Sequence, residues 1–219
     1  MSGPDSQTDR VRALYDGVAP RYDRALGLVE RVLFGDGRAW VCRQASGDVL
    51  EVAVGTGRNL AFYPAGGRLT GIDISPAMLD IARRTAASLG LDADLRVGDA
   101  QALEFADATF DTVVITLGLC TIPDDARAVA EAARVLRPAG RLLLLEHVRS
   151  AVAPVRFLQL LAEPVTSRWL GDHLLREPLA HLGAAGFVVE RVLRSRGGVV
   201  ERVRARKIGT EPSLTAEGD

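Results

Sequence analysis

Residues 51–59 (EVAVGTGRN) constrain the fold more than any other stretch of the chain. A short β-branched run, residues 48–54, stops at Gly55 and Gly57. Open α/β sheets bind their ligands at the carboxyl ends of the strands, where such turns lie. Glycine there lets the backbone turn tightly and approach a ligand with no Cβ in the way. A helix expected to follow would offer free N–H groups and the positive end of its dipole to a carboxylate or phosphate.

The pattern around this loop repeats. Further strands are expected over residues 68–73, 94–97, 109–116 and 141–147. Helices are expected over 76–88, with Ser75 as N-cap and Pro76 in the first turn, and over 124–136, with Val129, Ala132, Ala133 and Leu136 on one face. Strands alternating with helices at this spacing predict a doubly wound, mostly parallel α/β sheet of Rossmann-like type. The last two expected strands, 187–193 and 198–206, are close enough to pair as a C-terminal antiparallel hairpin. Before the sheet, residues 10–45 read as a helical lid, interrupted at Pro20 and near Gly35–Gly37. Residues 150–173 read as a helical insertion broken by Pro154 and Pro164, and a helix is expected over about 174–184. Residues 1–9 and 209–219 read as disordered. The whole, 1–219, reads as a single domain.

A chain of 219 residues, 47% hydrophobic and 25% charged, can bury one substantial core. Its formal net charge of −1 gives nucleic acid no electrostatic reason to bind. Cys42 and Cys120 have no metal or redox spacing, so no metal is expected and both read as reduced core thiols of a cytoplasmic protein. No apolar segment is long enough for a signal or a membrane span. Peripheral attachment to a membrane stays open, as does the oligomeric state.

A glycine pair also suits dinucleotide binding, but that fingerprint, G-x-G-x-x-G/A, would need a small residue where Leu60 stands. Asp73 ends the second strand, placed to take two ribose hydroxyls on its two oxygens. Asp99 follows the third, placed to accept from an adenine amino group. The segments LEVAVGTGRN, GIDISPAML, VGDAQALEF, FDTVVITLGLC and RVLRPAGRLLLLEH together resemble the class I S-adenosylmethionine (SAM)-dependent methyltransferases. That resemblance implies SAM as cofactor and S-adenosylhomocysteine as product. It implies a cofactor loop of Glu51, Ala53, Gly55 and Gly57, ribose contacts at Asp73 and Ile74, Met78 on the adenine, Asp99 and Ala100 at its amino group, and Thr116 near the methionine end. Ala53 stands where the family has its first glycine. As the smallest replacement, it is expected to preserve binding.

Two segments are expected to cover a small-molecule methyl acceptor. Tyr15 and Tyr22 lie in a stretch resembling the lid of quinone C-methyltransferases. Phe157 and Asp172 lie in or at the end of the insertion, a suitable substrate wall. His147, ending the fifth strand, and His173, in the insertion's exit loop, are the candidate catalytic bases; the alternative for His147 is a hydrogen-bonded core position. The combination of LGLC, LLEHV, the E-P-x₆-G-D stretch and GGVVERVRARK most resembles methyltransferase-like enzymes that methylate alkyl thiols. Quinol C-methylation and phospholipid amine N-methylation are the rivals within the fold. A catalytically silent SAM-binding protein is the rival of another class.

Overall fold

A computed structural model describes residues 7–209. In chain order its elements are α1 (Gln7–Phe34), α2 (Gly37–Cys42), β1 (Asp48–Val52), β2 (Arg68–Asp73), α3 (Pro76–Leu89), β3 (Ala93–Val97), β4 (Phe110–Thr116), α4 (Asp125–Val135), β5 (Leu136–His147), α5 (Ala153–Leu170), α6 (Leu179–Leu182), β6 (Phe187–Ser195) and β7 (Val200–Lys207). The strands form one sheet in the order β3-β2-β1-β4-β5-β7-β6. All neighbours are parallel except β7, which lies antiparallel between β5 and β6. The expected Rossmann-like sheet with its terminal hairpin is therefore present.

Alternation sorts the side chains of the central strands into two cores. Leu50, Val113, Ile115, Leu142 and Leu144 face α4 and meet its Val129, Ala132 and Ala133. Val49, Val114, Leu143 and Leu145 face the other way, onto Val41 of α2 and Leu79 and Ala82 of α3. With both faces covered, β4 and β5 read as nearly unbroken apolar runs. β1 pairs with β2 on one side and β4 on the other, so the winding reverses there and a crevice opens beyond their carboxyl ends.

Several expectations need correction. Residues 1–6 and 210–219 lie outside the described residues, but Gln7, Thr8 and Asp9, expected in the disordered lead, form the first turn of α1. Pro20 does not interrupt α1. Tertiary bonds hold the helix on both sides of the lost hydrogen bond: Ser75 Oγ and the Ala77 N–H donate to Asp16, and Thr56 Oγ1 donates to Asp23. α5 likewise runs through Pro164, with Pro154 in its first turn. The carbonyl that Pro164 leaves without a partner, that of Leu160, lies on the exposed side of the helix. No α-helix follows Gly57; a single 3₁₀ turn, Leu60–Phe62, ends at Tyr63, which Pro64 holds extended. The helix expected over 174–184 shrinks to α6, because residues 174–177 are spent reaching across to neighbouring loops.

Candidate functional site

A cleft opens at the reversal point. The loop after β1, the ends of β2 and β4 and the turn after β3 build its walls, and α1 covers it. Four latches hold α1 in place. Gln101 Nε2 donates to Thr8 Oγ1 (3.2 Å), Arg12 Nε to the Ile74 carbonyl (3.1 Å), Ser75 Oγ to Asp16 (2.5 Å) and Thr56 Oγ1 to Asp23 (2.8 Å).

One end of the cleft is built around Asp73, which is 8% exposed. The Gly55 N–H donates to its Oδ2 (2.8 Å) and the Ser75 N–H to its Oδ1 (2.9 Å). Each oxygen keeps a lone pair for a hydroxyl donor. Burial raises the carboxyl to about 6, against the pull of those N–H groups. Gly55 has φ 57°, and a Cβ built on it meets nothing within 4 Å. Ile74, Met78, Asp99 and Ala100 line the cleft beyond Asp73. Asp99 Oδ1 accepts the Gln101 N–H (2.9 Å), which fixes its carboxylate at the cleft edge.

Glu51 and Gly57, expected in the cofactor loop, do not line the cleft; they stand behind it. Glu51 is fully buried, accepting from Asn59 Nδ2 (2.7 Å) and the Tyr63 hydroxyl (2.9 Å), and burial raises its carboxyl to about 7. Asn59 Nδ2 also donates to Thr116 Oγ1 (2.8 Å), and Arg38 Nη1 donates to both Asn59 Oδ1 (2.9 Å) and Thr116 Oγ1 (3.1 Å). This chain of bonds sets the Arg38 guanidinium on the cleft wall beside Thr116. Sequence reasoning missed Arg38. Its only local signal is an arginine in an otherwise apolar helical turn, GRAWVC.

Ala53 adopts φ 58°, the left-handed region that glycine enters without strain. Gly118 accommodates it: a Cβ at 118 would come within 2.9 Å of the Ala53 Cβ. Ala53→Gly removes about 1–2 kcal/mol of backbone strain and costs about 0.5–1 kcal/mol in unfolded-state freedom. A rise in melting temperature of about 1–4 °C is expected. A fall in the melting temperature would show that Ala53 contributes packing that outweighs its strain.

At the other end of the cleft, Tyr15 and Tyr22 of α1 stand with ring centroids 6.2 Å apart, facing Thr121, Ile122 and Pro123. Arg176 pins that facing loop, donating to the carbonyls of Leu119 (2.5 Å), Ile122 (2.5 Å) and Pro123 (3.1 Å) and pairing with Asp125 at 3.3 Å. Behind it lies a pair that the sequence named as separate residues: Nε2 of buried His147 and Oδ1 of half-buried Asp172 are 2.8 Å apart. Neither lines the cleft; both stand one side chain back. Tyr15, which does line it, has a buried hydroxyl that bonds Thr121 and lies close enough to Asp172 for that carboxylate's charge to act on it. Burial opposes the charged ring of His147, but the hydrogen bond and charge of Asp172 outweigh it, and its pKa lies above the ordinary value. Cys120, Asp172 and His147 bring three potential ligand atoms within 4.8 Å of one another, where the sequence suggested no metal. The facing atoms of His147 and Asp172 are already joined as a hydrogen bond, and burial pushes the Cys120 thiol well above its usual range.

Two expected site residues lie elsewhere. His173 is turned to Glu163 of α5 (3.2 Å), its backbone N–H donating to the Cys120 carbonyl (3.0 Å). It anchors the helix end and does not line the cleft. Phe157 is 60% exposed on the outer side of α5, so the insertion does not wall the acceptor end through it.

Residues 50–144 match a family model described as a methyltransferase domain. The chain is 35% identical over 165 residues to a phosphatidylethanolamine N-methyltransferase of Cereibacter sphaeroides, an alignment covering 74% of this chain and 80% of that protein. The chain belongs to the class I SAM-dependent methyltransferases. A demethylmenaquinone methyltransferase of Renibacterium salmoninarum is also 35% identical, over 69% of this chain; the alignment spans 65% of that relative's length. A solved SAM-dependent methyltransferase from Methanosarcina mazei superposes with a TM-score of 0.62 at 25% identity, covering 76% of this chain and 95% of that one. SAM is thus the cofactor of this methyltransferase, and the cleft fits it. The Gly55 backbone would leave room for the ligand, Asp73 would have lone pairs to offer ribose hydroxyls, and Arg38 would present a cation toward a carboxylate.

Proposed function

We propose that this methyltransferase carries the methyl group of SAM to a small, largely apolar acceptor, and that a thiol sulfur is the atom its site serves best. The observation that carries this reading is the pair of buried His147 and half-buried Asp172 behind an acceptor wall of Tyr15, Tyr22, Thr121, Ile122 and Pro123, none of them charged at neutral pH. In this reading Asp73 and Ile74 hold the ribose, Met78, Asp99 and Ala100 the adenine, and Arg38 and Thr116 the methionine end. Bound SAM supplies an electrophilic methyl on a sulfonium. The chain has to hold the acceptor close and in line and to keep water out, which the latched α1 and its two tyrosines do.

A thiol needs only a weak base, because a pKa near 8.5 already leaves some thiolate at neutral pH. A histidine raised by its carboxylate partner matches that demand. His147 acts from behind the wall: its charged ring, favoured by Asp172, fixes that carboxylate beside Tyr15. It is a positioning residue.

His147→Ala should therefore leave SAM affinity within about twofold and lower turnover with an alkyl thiol by about tenfold or more, with the acidic limb of the pH–rate profile lost. Full turnover with an unchanged profile would leave His147 a packing role only. A second reading, transfer to a quinol carbon or a phospholipid amine, is favoured by the similarity to the demethylmenaquinone and phosphatidylethanolamine methyltransferases. A panel of alkyl thiol, demethylmenaquinol and phosphatidylethanolamine, each with labelled SAM, separates the readings by which acceptor takes the label.

A further inference from the structure

α5 is an amphipathic helix turned inside out. Its inward side carries polar groups that bond the protein backbone. Gln159, 7% exposed, donates from Nε2 to the Val148 (2.9 Å) and Leu174 (3.2 Å) carbonyls and accepts the Ser150 N–H (2.8 Å). Glu163 accepts the Leu174 N–H (2.7 Å) and faces His173. Its outward side carries Phe157, Leu158, Leu160, Leu161, Val165 and Trp169, all between 52% and 69% exposed. At 100° per residue these six cover about half of the helix circumference. Scattered apolar residues on a surface need no explanation, but a continuous helical face of this kind marks an interaction site.

The charges on the helix identify the partner. Arg156 and Arg168 are its only cations, and neither has a salt bridge among the described residues. Its only carboxylate, Glu163, is turned inward. A second copy packed on this face would press unpaired guanidinium groups against apolar surface with no acid to meet them. An anionic lipid surface supplies phosphates at the depth where an arginine stem lies along the apolar layer and its head reaches out. Trp169, at the end of the helix, belongs to the residue type that settles at such interfaces. No helix among the described residues is long and apolar enough to cross a membrane, so this contact would be peripheral.

We propose that the outward face of α5 docks this methyltransferase on an anionic lipid bilayer. The helix ends at Gly171, whose Cα side faces Val11 and Leu14 of α1 at van der Waals distance, and Val11 lines the cleft. Docking therefore brings α1, and the cleft it covers, beside the membrane, so that an acceptor dissolved in lipid has a short path to the cleft. Only this last step rests on the acceptor reading above; the docking does not.

The test uses the purified full chain with vesicles of phosphatidylcholine alone, or of phosphatidylcholine mixed with phosphatidylglycerol. The chain should sediment with the mixed vesicles, less so at high salt. The Leu158→Asp/Leu161→Asp double variant should bind them at least about tenfold more weakly, and Arg156→Gln/Arg168→Gln several-fold more weakly. Leu158, Leu161 and Arg168 are exposed and Arg156 is half-buried with no carboxylate partner among the described residues, so melting temperature and SAM affinity should stay near wild-type values. Absence of vesicle binding by the wild-type chain would overturn the proposal. So would a wild-type dimer in sedimentation velocity that the aspartate variant dissolves, since the face would then be covered by a second copy. Vesicle binding without methyl transfer to any acceptor would sink the proposed function and leave the docking standing.

Discussion

Asp73→Ala is expected to weaken SAM binding by about tenfold or more in calorimetry while the protein stays folded. Asp73 offers two lone pairs to two hydroxyl donors inside a buried site, where an ionised acceptor counts for more than at the surface. The same carboxylate adds a pH dependence. Burial raises its pKa to about 6 in the folded chain, so it is charged above that value and neutral below it. The charged form is the better acceptor. SAM affinity should therefore fall as pH drops through about 6 in the wild type, and that fall should vanish in the alanine variant. Unchanged affinity in Asp73→Ala would remove this residue from the cofactor site.

Gly57→Ala and Gly55→Ala are expected to fail in different ways, although the two glycines belong to one motif. Gly57 has φ 82°, and a Cβ there would lie 2.7 Å from Leu60 Cδ1 and 3.2 Å from the Ala82 backbone. Left-handed strain of about 1–2 kcal/mol adds to overpacking against α3 of about 1–3 kcal/mol. A loss of about 3 kcal/mol, or roughly 6–12 °C in melting temperature, should follow. Gly55 shares the left-handed backbone but faces open space, so its alanine variant should lose about 1–2 kcal/mol. Its new methyl group would stand in the cleft, and SAM affinity should fall clearly. The reverse pattern, with Gly57→Ala stable and Gly55→Ala unfolding, would contradict the assignment of Gly57 to packing and Gly55 to the cleft.

What could be read from the residues, and what could not, follows the range of the interactions. The strands, the Ser75 cap and the positions of Gly55, Asp73 and Asp99 rest on local patterns, and the structure has them where they were expected. Pro20 and Pro164 were expected to break helices by a local rule that bonds from distant residues override. The pairing of His147 with Asp172 joins positions 25 apart, and Arg38 reaches the cleft through Thr116, 78 residues on. Neither spacing is a periodic signal. Phe157, read from the sequence as part of a substrate wall, stands on the outer side of α5. An apolar stripe on a helix reads as a core face, but here the backbone between residues 148 and 150 and at residue 174 offers hydrogen bonds that only Gln159 and Glu163 can fill. Those bonds turn the stripe outward.

The most direct measurement is a single-turnover chase: the purified chain is loaded with methyl-labelled SAM, binding is recorded, and an excess of alkyl thiol is added. The account expects labelled thioether and S-adenosylhomocysteine to form one for one. SAM that binds but transfers no label to the thiol, nor to a quinol or an amine added in parallel chases, would contradict it and leave a SAM-binding protein without methyl transfer.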